Sequence, residues 1–147
     1  MKARFIAFSL GLVALAAAGP GMAAKDIIVD VNLANAMYDP VVEAAIPAGV
    51  KIYFAGQPVE IEKIVAPTKS SRRTTRGKSN VSLSCHKALA NVLKGMGEQA
   101  LRNGANAVVN IKSNNMNIVT ESSTTFKCRL GGNLVNVALI GDLAVVK

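Results

Sequence analysis

Tryptophan is absent from this chain, and aromatic residues make up only 4% of it. Proteins that hold single-stranded nucleic acid without sequence preference stack bases on aromatic side chains. That class of partner therefore has little material here. Histidine occurs once, as His86, and cysteine twice, as Cys85 and Cys128. Cys85 near a helix start would have a lowered pKa if it were free. Nucleophilic catalysis also needs an oriented base and a group that stabilises the oxyanion. His86, adjacent in sequence, supplies no oriented base, and nothing marks an oxyanion site, so the chain reads as a non-enzyme. Acids are scarce, 9 against 17 Lys and Arg. The longest apolar run, Phe5 to Ala18, is shorter than the roughly 20 residues a bilayer-spanning helix needs, which argues against an integral membrane protein.

That apolar run has a different meaning. Lys2 and Arg4 precede it, Gly19-Pro20-Gly21 breaks it, and small residues follow at Ala23 and Ala24. This is the layout of a secretory signal peptide over residues 1–24. No cysteine follows the cut to accept a lipid. The expected product is a periplasmic or secreted protein, residues 25–147, of a length suited to one compact domain. Losing Lys2 and Arg4 lowers the formal charge of +8 by two. Two cysteines in a small exported domain are most simply a disulfide. Closing the loop between Cys85 and Cys128 would stabilise the fold by about 4 kcal/mol in the chain-entropy model.

Along the mature chain, Asp26 to Val31 reads as a short strand, and Ala34 to Ala45, interrupted by Asp39-Pro40, as one or two helical turns. Pro47-Ala48-Gly49 signals a turn. Val50 to Phe54 and Val59 to Val65 alternate as half-buried strands do. Pro67 to Asn80 is polar without core periodicity and is expected to be a mobile basic loop. A long helix follows, with Ser82 or Ser84 as its cap. Its buried stripe runs from Cys85 through Leu89, Val92, Leu93 and Met96 to Leu101. Gly95 and Gly97 inside it suggest close approach to a sheet, and Asn103-Gly104 ends it. Ala105 to Ile111, Ile118 to Leu130 and Leu134 to Val146 read as strands, the last two joined by a tight turn at Gly131-Gly132-Asn133. Gly141 marks a bulge or bend. The fold class is α+β, one long helix packed on an antiparallel-rich sheet.

Three motifs bear on chemistry. Gly77-Lys78-Ser79 has the tail of a phosphate-binding loop, but the glycine that should stand five residues earlier is Arg72, so nucleotide hydrolysis is not expected. Gly95, Gly97 and Ala100 match a dinucleotide fingerprint in letters only, since they lie within a helix instead of between strand and helix. Cys85, His86 and Cys128 offer three soft donors for a heavy metal. Adjacent helical residues point about 100° apart, however, and a disulfide would consume both thiolates. No cofactor is expected. The strongest signal is charge: between Glu62 and Glu98 no acid occurs, while Lys69, Arg72, Arg73, Arg76 and Lys78 crowd one segment. Such clusters bind polyanions through counterion release. With an exported address the expected partner is an anionic envelope component or an acidic protein, and nucleic acid is disfavoured.

The run Ala88-Leu89-Ala90-Asn91-Val92-Leu93, continued through Glu98-Gln99-Ala100-Leu101 into Gly104-Ala105-Asn106-Ala107-Val108-Val109-Asn110-Ile111, resembles the YbjQ-like heavy-metal-binding domain family and its exported relatives. The core of the stress-sensing lipoprotein RcsF is similar. So are small secreted proteins often labelled excinuclease ATPase subunits, in which a cysteine likewise opens the helix and another follows an aromatic, as in Phe126-Lys127-Cys128. The resemblance covers Ser79 to Lys147. It implies a β-α-β-β core and a ring-like homo-oligomer, and it carries no settled activity. The chain departs from RcsF in having one cysteine pair and no lipid-acceptor cysteine.

Overall fold

A computed structural model describes residues 26–78 and 80–147. The expected signal peptide lies outside these residues. The elements run β1 (Ile27–Asn32), α1 (Leu33–Met37), α2 (Pro40–Ala45), β2 (Lys51–Phe54), β3 (Ile61–Thr75), α3 (Val81–Arg102), β4 (Ala107–Asn115), β5 (Ile118–Thr120), β6 (Thr125–Leu130) and β7 (Leu134–Val146). The seven strands form one sheet of order β1-β6-β7-β4-β2, with β3 added to β7 and β5 to β4. Every pairing is antiparallel except β2 with β4. The α+β expectation holds.

β7 is the spine of the sheet. β3 runs along one of its edges from end to end, and the other edge is shared by β6 near Val135 and β4 near Leu139 to Ala144. Its residues alternate: Val135, Val137, Leu139 and Leu143 are buried in the main core under α3. On α3 the predicted stripe is buried from Cys85 to Ala100, whereas Leu101 is 49% exposed, because it lies a further 100° round the helix from Ala100. Asn80 caps α3 by accepting from Leu83 N at 2.9 Å, in place of the expected Ser82 or Ser84. The Ser84 hydroxyl instead accepts from Gly77 N at 2.8 Å.

The expected mobile loop at Pro67 to Asn80 is mostly strand. Residues 66–75 pair with β7 in unbroken register, from Ala66↔Leu143 to Thr75↔Leu134. The segment looked structureless because polar residues fill its inward positions, and α3 satisfies two of them. Thr68 Oγ1 donates to Gln99 Oε1 at 2.6 Å, and Thr74 Oγ1 to Ser84 O at 3.1 Å. A buried hydroxyl with a partner carries little penalty, so a polar strand can lie under a helix. The predicted single strand Ile118 to Leu130 is in turn broken between β5 and β6. There the Ser122 hydroxyl accepts from the backbone of Thr124 and Thr125 at 3.2 and 3.0 Å, which is the local competition with strand pairing that serine favours.

β4 carries a bulge between Val109 and Lys112, where Asn110 takes φ 53°. The extra residue reverses the side to which the following residues point. Val108 and Ile111 therefore both belong to the main core, while Ala107 and Val109 join Ala144 and Val146 in a small cluster on the other face. Gly141 stands opposite the bulge instead of forming one. A Cβ there would lie 3.0 Å from Val109 O and 3.2 Å from the Ile111 side chain. Tyr53 and Val59 pack on the small cluster and cover that end of the second face.

Candidate anion-binding face

Strand alternation decides where the five predicted basic residues point. Thr68, Ser70 and Thr74 turn toward α3, and the Arg72 guanidinium shares that side, lying near Gly95. Lys69, Ser71 and Arg73 turn to the opposite, uncovered face, where Ser71 Oγ accepts from Asn136 Nδ2 at 2.9 Å. Arg76 is tied to the β6–β7 turn through Nη1 to Gly131 O at 2.9 Å. Lys78 is exposed in the connection to α3. One basic cluster in sequence is thus several surfaces in space. None of the five forms an ion pair among the described residues.

The uncovered face gains cations that no single stretch of sequence announces. Arg129 of β6 stands with Lys69 and Arg73 around a hollow of about 430 Å³, which also has Asn114 and Asn136 in its lining. Asp26 reaches Arg129 at only 3.6 Å. Lys112 of β4 lies further along and pairs with Glu121 at 2.8 Å. Such an arrangement concentrates positive potential over a concave polar surface, which suits an anion. The sequence signal for Arg129 and Lys112 was their place at alternate positions in strands whose other residues are buried.

Cys85 in the first turns of α3 and Cys128 in β6 form a disulfide with a Cα–Cα distance of 6.0 Å. Both are fully buried. Their sulfurs are bonded to each other, so no thiolate remains to join His86 in the three-donor metal set. Among the described residues no group of three or more His, Cys, Asp and Glu is placed to hold a metal ion.

His86 is buried, at 8% exposed. Its Nδ1 lies 2.7 Å from Asp39 Oδ2. An ionised carboxylate only accepts, so Nδ1–H is the donor. Asp39 Oδ1 meanwhile accepts from Val41 N at 3.0 Å and caps α2. These two hydrogen bonds, that from His86 first, hold the Asp39 carboxyl below its ordinary range. Asp39-Pro40, read in the sequence as an interruption, is the start of α2, an N-cap acid followed by proline at the first helical position, and its meeting with His86 joins segments far apart in sequence. The Gly77 amide points to the Ser84 hydroxyl, and Ser79 lies outside the described residues.

No family model and no curated protein matches the chain. Among solved structures, the chain is similar to a crystal structure at 2.73 Å resolution of a DUF74-family protein of unknown function from Pediococcus pentosaceus ATCC 25745. The likeness covers 67% of this chain and 99% of that one, at 11% identity and a TM-score of 0.46, and at that level carries no functional argument.

Proposed function

We propose that this chain is a non-enzymatic, exported, disulfide-stabilised binding module with a YbjQ-like core, acting in the periplasm or outside the cell. It docks on an anionic partner, an envelope component or an acidic protein, through its basic residues, and homo-oligomeric assembly belongs to the same reading. The observation that carries it is the uncovered sheet face on which Lys69 and Arg73 stand without an acidic partner among the described residues. A leader-like N-terminus and the buried disulfide support the exported setting.

The test replaces Lys69, Arg72, Arg73, Arg76 and Lys78 together by Gln. Retention of the parent on heparin and on anionic vesicles is expected at low salt and should collapse as salt rises. The variant should elute near the void. Stability should drop by only about 1 kcal/mol, mainly from the lost bond between Arg76 and Gly131 O. Equal retention of parent and variant would defeat the reading.

A further inference from the structure

On the open face of the sheet, the pairing registers arrange cations in two ranks across β7. Arg73 and Arg129 both pair with Asn136, one from β3 and one from β6. Lys69 and Lys112 both pair with Ile140, one from β3 and one from β4. Cross-strand partners point to the same face, so each rank reads cation, neutral floor, cation. The two cations of a rank are separated by two strand spacings, about 10 Å between backbones. Four residues, about 13 Å, separate the ranks along β7. Between them Ser71 pairs with Ala138, which keeps the floor low. Two hollows of about 430 and 510 Å³ lie along this line and share Lys69 in their linings. Together they form a trough over β7 with basic walls.

We propose that this trough is the docking site for an extended acidic segment of a partner protein. The proposal rests on the anion-binding reading above and assigns it a place, an occupant and a direction. β7 has both backbone edges engaged, by β3 on one side and by β6 and β4 on the other. It therefore cannot accept an added strand, and recognition must come from side chains. An extended polypeptide rises by about 3.3 Å per residue, as β3 does, so acids at positions i and i+4 repeat the spacing of Lys69 and Arg73. Acids at alternate positions all point to one side and can meet the walls together. Neither hollow has an aromatic in its lining, so nothing offers a stacking platform to nucleobases. Lys112 and Arg129 hold Glu121 and Asp26 at exposed positions, and incoming carboxylates displace these weakly bound partners. Asp142, paired with Pro67 beyond the Lys69 rank, repels acid there and closes that end of the trough.

The experiment compares two triple variants of the disulfide-intact protein. Lys69→Gln/Arg73→Gln/Arg129→Gln strips the trough, and Arg76→Gln/Lys78→Gln/Lys94→Gln removes the same charge from residues that line neither hollow. The probe is a fluorescent peptide alternating Glu and Thr, its affinity read by anisotropy at low salt. A control peptide has the same composition with its acids in one block. The alternating peptide should bind the parent more tightly than the block peptide. Its affinity should fall by about tenfold or more in the trough variant, as the loss of three exposed charge pairs allows, and by less than about twofold in the other. If removing Arg129 unfolds the protein, the Lys69→Gln/Arg73→Gln pair makes the same comparison. Equal losses in the two triple variants, or equal binding of the two peptides, overturns the trough. Heparin retention without peptide binding overturns it as well, while leaving the broader anion-binding reading intact.

Discussion

Asp39 and His86 stand 47 positions apart and meet at 2.7 Å, joining the small helix α2 to the first turns of α3. The carboxylate does two tasks, since it also caps α2. Its pKa in the folded protein lies below the ordinary 3.8, through the hydrogen bond from His86 first and that from Val41 N second. A depressed acid binds fewer protons folded than unfolded, so its contribution to stability is complete above its ordinary pKa. That contribution is lost as pH falls below the range and through the folded value. Asp39→Ala should cost about 2 kcal/mol at neutral pH, from a lost cap and a lost charge-assisted bond. Urea unfolding followed from pH 6 down to about pH 2.5 checks it: the parent should lose stability at the acid end more steeply than the variant. Parallel curves would mean that the pair is not coupled to folding.

At the scale of elements, the two helical glycines look equivalent in sequence and are not equivalent in the fold. A Cβ at Gly97 would stand 2.6 Å from Pro47 Cδ, in the connection that follows α2. At Gly95 it would lie 3.4 Å from the Arg72 guanidinium and 3.5 Å from Ser70 Oγ. Only Gly95 thus faces the sheet that both glycines seemed to announce. Gly97→Ala forces rigid ring and backbone to shift and should destabilise by about 1–3 kcal/mol. Gly95→Ala meets the end of a flexible side chain, and the helix-propensity gain of up to about 1 kcal/mol should leave it neutral or stabilising. Thermal unfolding of the two variants side by side decides this, and the same sign for both would contradict the packing described.

For the molecule as a whole, the disulfide joins the two layers, with Cys85 on α3 and Cys128 on β6. The bridge closes a separation of 43 residues that includes the helix, β4 and β5. Replacing both cysteines by Ala should lower unfolding free energy by about 4 kcal/mol on chain-entropy grounds, with helical circular dichroism retained under native conditions. An unchanged urea midpoint would show that the bridge does not bear on stability. The layering also explains why the proposed anion-binding surface lies where it does. α3 covers one face, and Tyr53 and Val59 cover one end of the other. The remaining end, where β3, β7, β6 and the bulged half of β4 meet, is left wet and basic.

Several features were settled by local chemistry alone and were legible in the amino-acid sequence. The three- and four-residue spacing from Cys85 to Ala100 made a helix with one buried side, because that period is intrinsic to α-helical geometry. Leu134 to Val146 and the turn at Gly131-Gly132-Asn133 made a hairpin strand for the same kind of local reason, and the cysteine pair was expected from its even number and from the expectation of export. Tertiary structure decided the rest. β3 is a strand because β7 pairs its backbone and α3 gives partners to Thr68 and Thr74, in a polar segment that has no apolar period of its own. His86 is buried because α2 brings a carboxylate to it. The basic run divides because alternation in a strand sends neighbours to opposite faces. Arg129 and Lys112 then join Lys69 and Arg73 through register, a relation between distant segments that no local window of sequence contains.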